Sequence, residues 1–171
     1  MSNKIALLAF VEILSALSMG VVILYITYKG LKFLAVKRYK IERNNLAYSI
    51  FMAGVFLCVG LMMSGVIDPL LSAFRIISDT NESTSTTIFR FLSQGGLYIG
   101  IAYLVNILII IIGISIYVNL TPIDEFKEIK DNNIGVAIVV STIIIVLTLM
   151  SKDGVMLLIE SIVPYPELPP R

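Results

Sequence analysis

The sequence predicts an all-α integral membrane protein with four transmembrane helices, arranged as two parallel two-helix repeats. Hydrophobic residues make up 57% of the 171 residues, charged residues only 15%, and the mean hydropathy is +0.93. Soluble domains are roughly 45–50% apolar, so this chain has too little polar surface to cover a soluble globule. Stretches without Asp, Glu, Lys or Arg cover residues 44–67, 91–123 and 132–151, and a fourth, 5–28, is interrupted only by Glu12. Each is long enough, since about 20 helical residues cross a bilayer core and only helices or closed barrels satisfy their backbone there.

In chain order, the helices are predicted over residues 8–32, 45–67, 91–118 and from 133 onwards. A basic turn joins the first pair and an acidic turn, 119–133, joins the second pair. Residues 69–78, PLLSAFRIIS, are expected to lie in the membrane interface as an amphipathic segment. The predicted organisation is therefore a first repeat, a polar extracytoplasmic link, a second repeat and an extended Pro-rich tail, over residues 1–78, 79–90, 91–163 and 164–171.

A cleaved secretory signal peptide is the alternative interpretation of the first apolar stretch. It fits poorly, because Lys29 and Lys32 follow the apolar run instead of preceding it. No A-x-A-like site closes the run either. We therefore expect this stretch to remain as a transmembrane helix.

The repeat is indicated by two similar boundaries in which a charged turn leads through two asparagines into an apolar helix. The pairs Asn44/Asn132 and Asn45/Asn133 are each 88 positions apart, and Ile41/Ile129 and Ile50/Ile138 keep the same offset. Asparagine is a favourable N-cap residue because its side chain accepts a hydrogen bond from the first turn of a helix. Two helices per unit return the chain to the same membrane face, so the units are expected to be parallel repeats.

The orientation follows from the distribution of lysine and arginine. The turn 29–43 carries six basic residues and one acid, which predicts a cytoplasmic location by the positive-inside rule. Parallel repeats place the turn 119–133 on the same side, because acids contribute little to that rule. We therefore predict a multi-pass protein of the bacterial inner (cytoplasmic) membrane with both termini outside the cytoplasm.

The second boundary resembles a known family. The stretch TPIDEFKEIKDNNIGVAIV, residues 121–139, is similar to the second-repeat signature of the YjfL-like bacterial inner-membrane proteins, domain of unknown function 350. Asp124, Glu125 and Phe126 match its acidic–aromatic step, and Asn133 matches its last asparagine. The first turn departs from this pattern because it is basic. The resemblance implies tandem two-helix units and a membrane location, and it implies no activity.

Several polar residues are candidates for lining a pore or cavity. Asn106 is central in the third helix and Ser18, at the 88-residue offset, is central in the first. An interhelical hydrogen bond, worth on the order of 0.6 kcal/mol, is the structural explanation for a polar residue at that depth. A lining role is the functional alternative. The candidate lining set comprises Ser18, Asn106, Asn44, Asn45, Asn132 and Asn133.

The remaining candidate site residues are small residues for helix packing and charged residues. Gly96 and Gly100 on the third helix, and Ala16 and Gly20 on the first, form small-xxx-small steps that favour close helix packing. The charged candidates fall in two groups: Asp124 and Glu125 in the acidic turn, and Glu12, Lys152 and Asp153 near the other ends of the helices. Glu12 is expected to be within reach of Lys152, and either a functional intramembrane acid or an acid that snorkels to water is consistent with its position.

The function that we predict is that of a homo-oligomeric channel or transport component for a small ion or solute. The alternative is a non-transporting scaffold or subunit that recruits a cytoplasmic protein partner through its turns. An enzyme is not expected, because the chain has no histidine, one cysteine (Cys58, expected as a small core residue) and no nucleophile–base spacing. We expect a lipid bilayer around the protein, no cofactor, no metal site and no nucleic acid. The permeant species, the copy number and the partner are not determined by the sequence.

Overall fold

The computed structural model describes residues 2–41, 44–78, 84–120 and 124–162. Within those ranges the chain forms α-helices and no strand, which confirms the all-α prediction. The helices are α1 (Ser2–Phe33), α2 (Leu46–Ser78), α3 (Thr84–Leu120), α4 (Glu125–Lys130) and α5 (Ile134–Ile162). A π-helical turn, Leu34–Tyr39, continues α1 and ends at Lys40, whose φ of 52° places it in the left-handed region.

Three of these helices are long and apolar enough to cross a membrane. The candidate spans are Leu46–Ile67, Gly95–Asn119 and Ile134–Ser161. These helices indicate a membrane protein. The predicted fourth span lies in α1, which has 32 residues, but the side chains of residues 1–12 and 14–16 lie outside the described part of the chain. That span stays a prediction.

Helices α2, α3 and α5 form a bundle, in which α2 and α5 pack most extensively. Helix α2 is central because its buried residues recur at spacings of three and four, which turns one continuous apolar face towards its neighbours. These residues are Val55, Cys58, Val59, Met62, Met63 and Val66. Helix α1 makes most of its interhelical contacts with α2, and many of the large apolar side chains of α1 are exposed.

The contacts between α2 and α5 show that these two helices run in the same direction. Nearer the start of both helices, Ser141 Oγ donates to the carbonyl of Ile50 at 3.4 Å, and about three to four turns further along, Lys152 Nζ donates to Ser64 Oγ at 3.0 Å. Since both partners advance together along the two helices, the helices are parallel. We call the end of the bundle that carries residues 34–45 and 124–133 the turn end.

Helix α3 runs in the opposite direction to α5. Asn106 meets Thr148, whereas Gly113, two turns later on α3, lies against Ile144, one turn earlier on α5. Because a later residue of α3 contacts an earlier residue of α5, the two helices are antiparallel.

The helix boundaries correct the predicted polar link. Helix α2 continues through Pro69 to Ser78, although proline cannot supply the N–H that would bond the carbonyl of Gly65. Helix α3 already begins at Thr84, so most of the predicted link 79–90 is helical. Residues 69–78 are helical, and the side chains of 71–78, the residues 79–83 and the predicted tail 164–171 lie outside what the structure describes.

Candidate functional site

The two turns at the turn end are joined by the side chain of Asn45. This residue is 5% exposed, and its Nδ2 donates to the carbonyls of Ile129 at 2.6 Å and Lys130 at 2.9 Å. Its Oδ1 accepts from the N–H of Tyr48 at 2.7 Å, which is an N-cap bond at the start of α2. Asn45 therefore caps α2 and ties α2 to the last turn of α4.

The second asparagine pair, Asn132 and Asn133, also accepts hydrogen bonds from backbone N–H groups. Asn132, with φ of 64°, accepts at Oδ1 from the N–H of Ala47 at 3.0 Å. Asn133 accepts at Oδ1 from the N–H of Val136 at 3.3 Å and donates from Nδ2 to Glu128 Oε2 at 2.8 Å. The capping predicted for Asn45 and Asn133 is confirmed by these bonds. Asn44 is exposed beside them.

Aromatic rings pack the same two turns together. The ring of Phe126 on α4 stacks on Tyr39 with 4.4 Å between centroids, and Phe51 of α2 meets Phe126 edge-on at 6.1 Å. Asp124 caps α4, because its Oδ1 accepts from the N–H of Lys127 at 3.2 Å. The side chain of Glu125 lies outside the described residues. The turn end is thus a packed unit of caps and rings.

A polar cluster lies inside the bundle around Asn106. This residue is 0% exposed, and its Oδ1 accepts from Thr148 Oγ1 at 3.4 Å, while its buried Nδ2 has no hydrogen-bond partner within the described ranges. Cys58 is fully buried next to Thr148, as expected of a small core residue. The interhelical hydrogen bond that the sequence predicted for Asn106 is present. Its partner, Thr148, was missed, although a threonine in an apolar stretch is a recognisable hydrogen-bonding residue.

Ser18 and Asn106, which share the 88-residue offset, have different surroundings. Ser18 is exposed on α1, whereas Asn106 faces α5 inside the bundle. Within one protomer the two side chains therefore do not face one surface. A lining role for the pair stays a prediction.

The charged candidates at the far end are only partly described. Lys152 is half-buried and donates to Ser64, and Asp153 is exposed. The side chain of Glu12 lies outside the described residues, so the predicted contact between Glu12 and Lys152 stays a prediction. Within the described ranges, no group of three Cys, Asp or Glu side chains is placed to hold a metal ion.

The three glycines of the predicted small-residue steps have open space beside them. A Cβ added at Gly96 or Gly100 would meet no atom within 4 Å, and the same holds for Gly20. The side chain of Ala16 lies outside the described residues. These glycines therefore do not mediate packing among the described helices.

The glycines that do bring helices together are others, which the sequence reasoning missed. A Cβ at Gly54 would lie 2.6 Å from Ser141 Cβ, and a Cβ at Gly113 would lie 3.0 Å from Ile144 Cγ2. Gly54 and Cys58 are four residues apart, and this small-xxx-small spacing was the available signal. The close approach of α2 to α5 depends on Gly54.

A cavity of about 430 Å³ lies at the turn end, between α1, α2 and α3. Its back wall consists of buried apolar side chains, among them Phe51, Val55 and Ile129. Leu104 and Ile111 on α3 also line it and are 65% and 52% exposed, so they mark an opening on the side of the bundle. The cavity is apolar and of the size of known ligand pockets, which measure about 300–1,000 Å³.

Comparison with known proteins identifies the second half of the chain. The family model described as Domain of Unknown Function (DUF350) matches residues 91–156. This part of the chain is similar to that family, and the match covers 66 of the 171 residues. No curated protein and no solved structure matches the chain. The matched region contains most of α3, all of α4 and most of α5, so Asn106, Thr148 and the partners of Asn45 in the second turn belong to it.

Proposed function

We propose that the protein is the subunit of a homo-oligomeric channel or transport component for a small ion or solute. The observation that carries the proposal is the outward position of Gly96 and Gly100 on α3. Glycines four residues apart on an apolar helix let a second helix approach closely, and no described helix of the protomer occupies that place. A second copy of the chain is the occupant that we propose.

The pore of this assembly lies between copies. Inside the protomer, the polar cluster around Asn106 is closed by helix packing and the bundle core is apolar. Ser18 on α1 is exposed and therefore available to line a path shared by several protomers. Asn106 joins such a path only when α3 rotates away from α5. The proposed site consists of Ser18, with Asn106 as a residue uncovered on opening.

The proposal includes four spans, built as two parallel two-helix repeats in the bacterial inner membrane, with the turn end in the cytoplasm. The parallel direction of α2 and α5 and their equivalent N-caps at Asn45 and Asn133 support the repeat. Single cysteines test the orientation in a Cys58→Ala background. We expect a membrane-impermeant maleimide to label Ser161→Cys, at the exposed end of the α5 span, on intact spheroplasts, and Lys40→Cys and Lys130→Cys only after permeabilisation. Labelling of one turn variant from outside would refute the shared side of the turns.

The oligomer is tested before transport. Native mass measurement and crosslinking in mild detergent should show one defined oligomer for the wild type. Gly96→Leu with Gly100→Leu should shift it to monomers, because the added side chains keep the partner helix away. Gly154→Leu is the matched control and should leave the oligomer intact. A Cβ at Gly154 also meets no atom within 4 Å, but this glycine lies on α5 and not on α3. A wild-type monomer would refute the shared pore.

Transport is then measured as flux across proteoliposomes that contain the intact oligomer. We expect flux of at least one common ion or small solute above that of empty vesicles. Ser18→Leu should reduce it, since Ser18 is the exposed polar residue on α1. Asn106→Leu should also change it if Asn106 is uncovered on opening. Absence of flux in the wild-type oligomer would favour the second candidate function.

The second candidate is a scaffold that recruits a cytoplasmic protein through the turn end. The rigid unit formed by Asn45, Asn132 and the stacked rings of Tyr39 and Phe126 supports it, because a preorganised surface loses little entropy on binding. Exposed charges on that surface, such as Lys130 and Asp131, would contact the partner. Charge-reversal at these two positions should abolish capture of a specific partner and leave the oligomer intact.

A further inference from the structure

We propose that the cavity at the turn end is a binding site for one anionic diacyl phospholipid, with an acyl chain inside the cavity and the headgroup at the lysines beside it. This inference concerns a surface that is separate from the proposed pore. It rests on the shape of the cavity, on one unpartnered hydroxyl group and on the charges around the closed end.

The cavity is built for a long apolar group that enters from the bilayer. Buried side chains of α2 and of the turns form its wall, and the exposed Leu104 and Ile111 stand at its opening. On the α1 side the opening is bordered by Gly30 and by Leu34, which is 44% exposed. Because α2 and α3, which line the cavity, are long and apolar enough to span a membrane, we infer that this opening faces acyl chains.

One hydroxyl in the wall lacks a partner. Thr27 Oγ1 donates to the carbonyl of Ile23 at 2.8 Å, so the Tyr103 hydroxyl, at 3.2 Å, donates to Thr27. These two lining residues therefore satisfy each other. The hydroxyl of Tyr48, which also lines the cavity, is buried and has no hydrogen-bond partner among the residues that the structure describes. A buried donor left unpaired is costly, and an acceptor oxygen brought by a ligand would remove that cost.

The position of Tyr48 fits an ester carbonyl. It lies in the first turn of α2, next to the cap Asn45 and thus just inside the membrane face. In a phospholipid, the ester carbonyls lie between the acyl chains and the phosphate. An acyl chain in the cavity therefore places an ester oxygen near Tyr48 and the phosphate at the turn end.

The lysines beside the cavity favour an anionic headgroup, and of the acids at the same end Asp124 caps α4 and Glu128 accepts a hydrogen bond from Asn133. Exposed lysines stand beside the residues that close the cavity: Lys40 lies between the lining residues Tyr39 and Ile41, and Lys127 follows Phe126. Lys37 is also exposed and lies over the ring of Phe33. Within the part of the chain that the structure describes, none of these three lysines forms an ion pair. Basic pockets between helices at the cytoplasmic face are typical binding sites of anionic lipid headgroups.

The first experiment measures which lipid the purified full-length protein retains. After extraction in mild detergent and stripping, the protein is exposed to vesicles of phosphatidylglycerol or of phosphatidylethanolamine and examined by native mass spectrometry. We expect one phosphatidylglycerol per chain at concentrations at which phosphatidylethanolamine does not bind. Equal binding of both lipids, a bound fatty acid in place of a diacyl lipid, or no binding of either would overturn the proposal.

Substitutions around the cavity test where on the protein the lipid binds. Gly30→Phe fills the opening and should abolish binding, whereas Gly154→Phe, with equally free space around its Cβ, should not. Replacing Lys37, Lys40 and Lys127 by glutamine should weaken phosphatidylglycerol binding by about fivefold for each lysine. Lys29→Gln is the matched control, because residues two apart on a helix lie on nearly opposite sides, which places Lys29 away from the cavity-lining Leu31. Equal losses in the test and control variants would show annular lipid only and refute the site.

Tyr48→Phe separates binding from folding. It should weaken phosphatidylglycerol binding by about threefold to tenfold through the lost hydrogen bond. In the lipid-stripped protein the same change should leave the melting temperature unchanged or raised, since it removes an unpaired buried hydroxyl. A lowered melting temperature without lipid would mean that another group of the protein pairs with Tyr48, which would contradict its assigned role.

Discussion

The contact between Gly54 and Ser141 sets the distance between α2 and α5, and Gly54→Ala tests it. An alanine Cβ would lie 2.6 Å from Ser141 Cβ and 3.2 Å from the backbone Cα of Ser141. Since a backbone atom cannot move aside like the end of a flexible side chain, the two helices must separate. Overpacking of this kind typically costs about 1–3 kcal/mol, and alanine recovers about 0.8–1.0 kcal/mol of helix propensity. Taking about 2 kcal/mol as the middle of the overpacking range, we expect a net destabilisation of about 1 kcal/mol.

Equilibrium unfolding in mixed micelles of rising SDS fraction, followed by circular dichroism, measures this difference. Ser141→Gly should restore most of the stability of Gly54→Ala, because it removes the Cβ that clashes. Ser141→Ala should not, since it keeps that Cβ. Gly154→Ala is the control and should be neutral or stabilising, because its Cβ meets nothing within 4 Å. A Gly54→Ala protein as stable as the wild type, or rescue by Ser141→Ala as good as by Ser141→Gly, would refute the packing argument.

Three further predictions concern asparagines. Asn45→Ala should destabilise the protein by about 2–3 kcal/mol in the same assay, since it removes a cap and two buried hydrogen bonds; Asn44→Ala, at an exposed position, should change stability by less than about 0.5 kcal/mol. Asn132→Gly should be tolerated better than Asn132→Ala by about 1 kcal/mol, because the backbone there has φ of 64°; equal stabilities would contradict this. Asn106→Leu should change stability by less than about 1 kcal/mol, because the buried Nδ2 has no partner and the bond to Thr148 is long; a loss above about 2 kcal/mol would reveal a missing partner of the amide.

The existence and type of the long helices could be predicted because the determining quantity, charge-free length, is local in the sequence, whereas α4, a charged helix of six residues, lies in a segment predicted as a turn. The same holds for the caps at Asn45 and Asn133, which act on residues three positions later. The reach of α2 past Pro69 could not be predicted in this way, since proline usually ends a helix and only the neighbouring structure decides otherwise.

The rotation of each helix was much harder to predict. Nearly every side chain of a span is apolar, so no polar face indicates which side packs inward. The glycines at 96 and 100 have the more regular motif, yet Gly54 makes the close contact. The 88-residue offset between Ser18 and Asn106 also does not predict similar surroundings for the two side chains. Helix α1 lies at the edge of the bundle, whereas α3 lies within it.

The bonds of Asn45 have a consequence for biosynthesis. Its partners, the carbonyls of Ile129 and Lys130, come 84 and 85 residues later in the chain. At about 5–20 residues per second, a ribosome needs roughly 4–17 s to supply them. In the later part of that interval the first pair of helices is already made, while the amide of Asn45 still lacks its carbonyl partners. The hydrogen bonds of the first pair of helices are therefore completed only by the second half of the chain. A chain arrested between the two halves would expose the unpaired Asn45 amide to the quality-control proteases of the membrane.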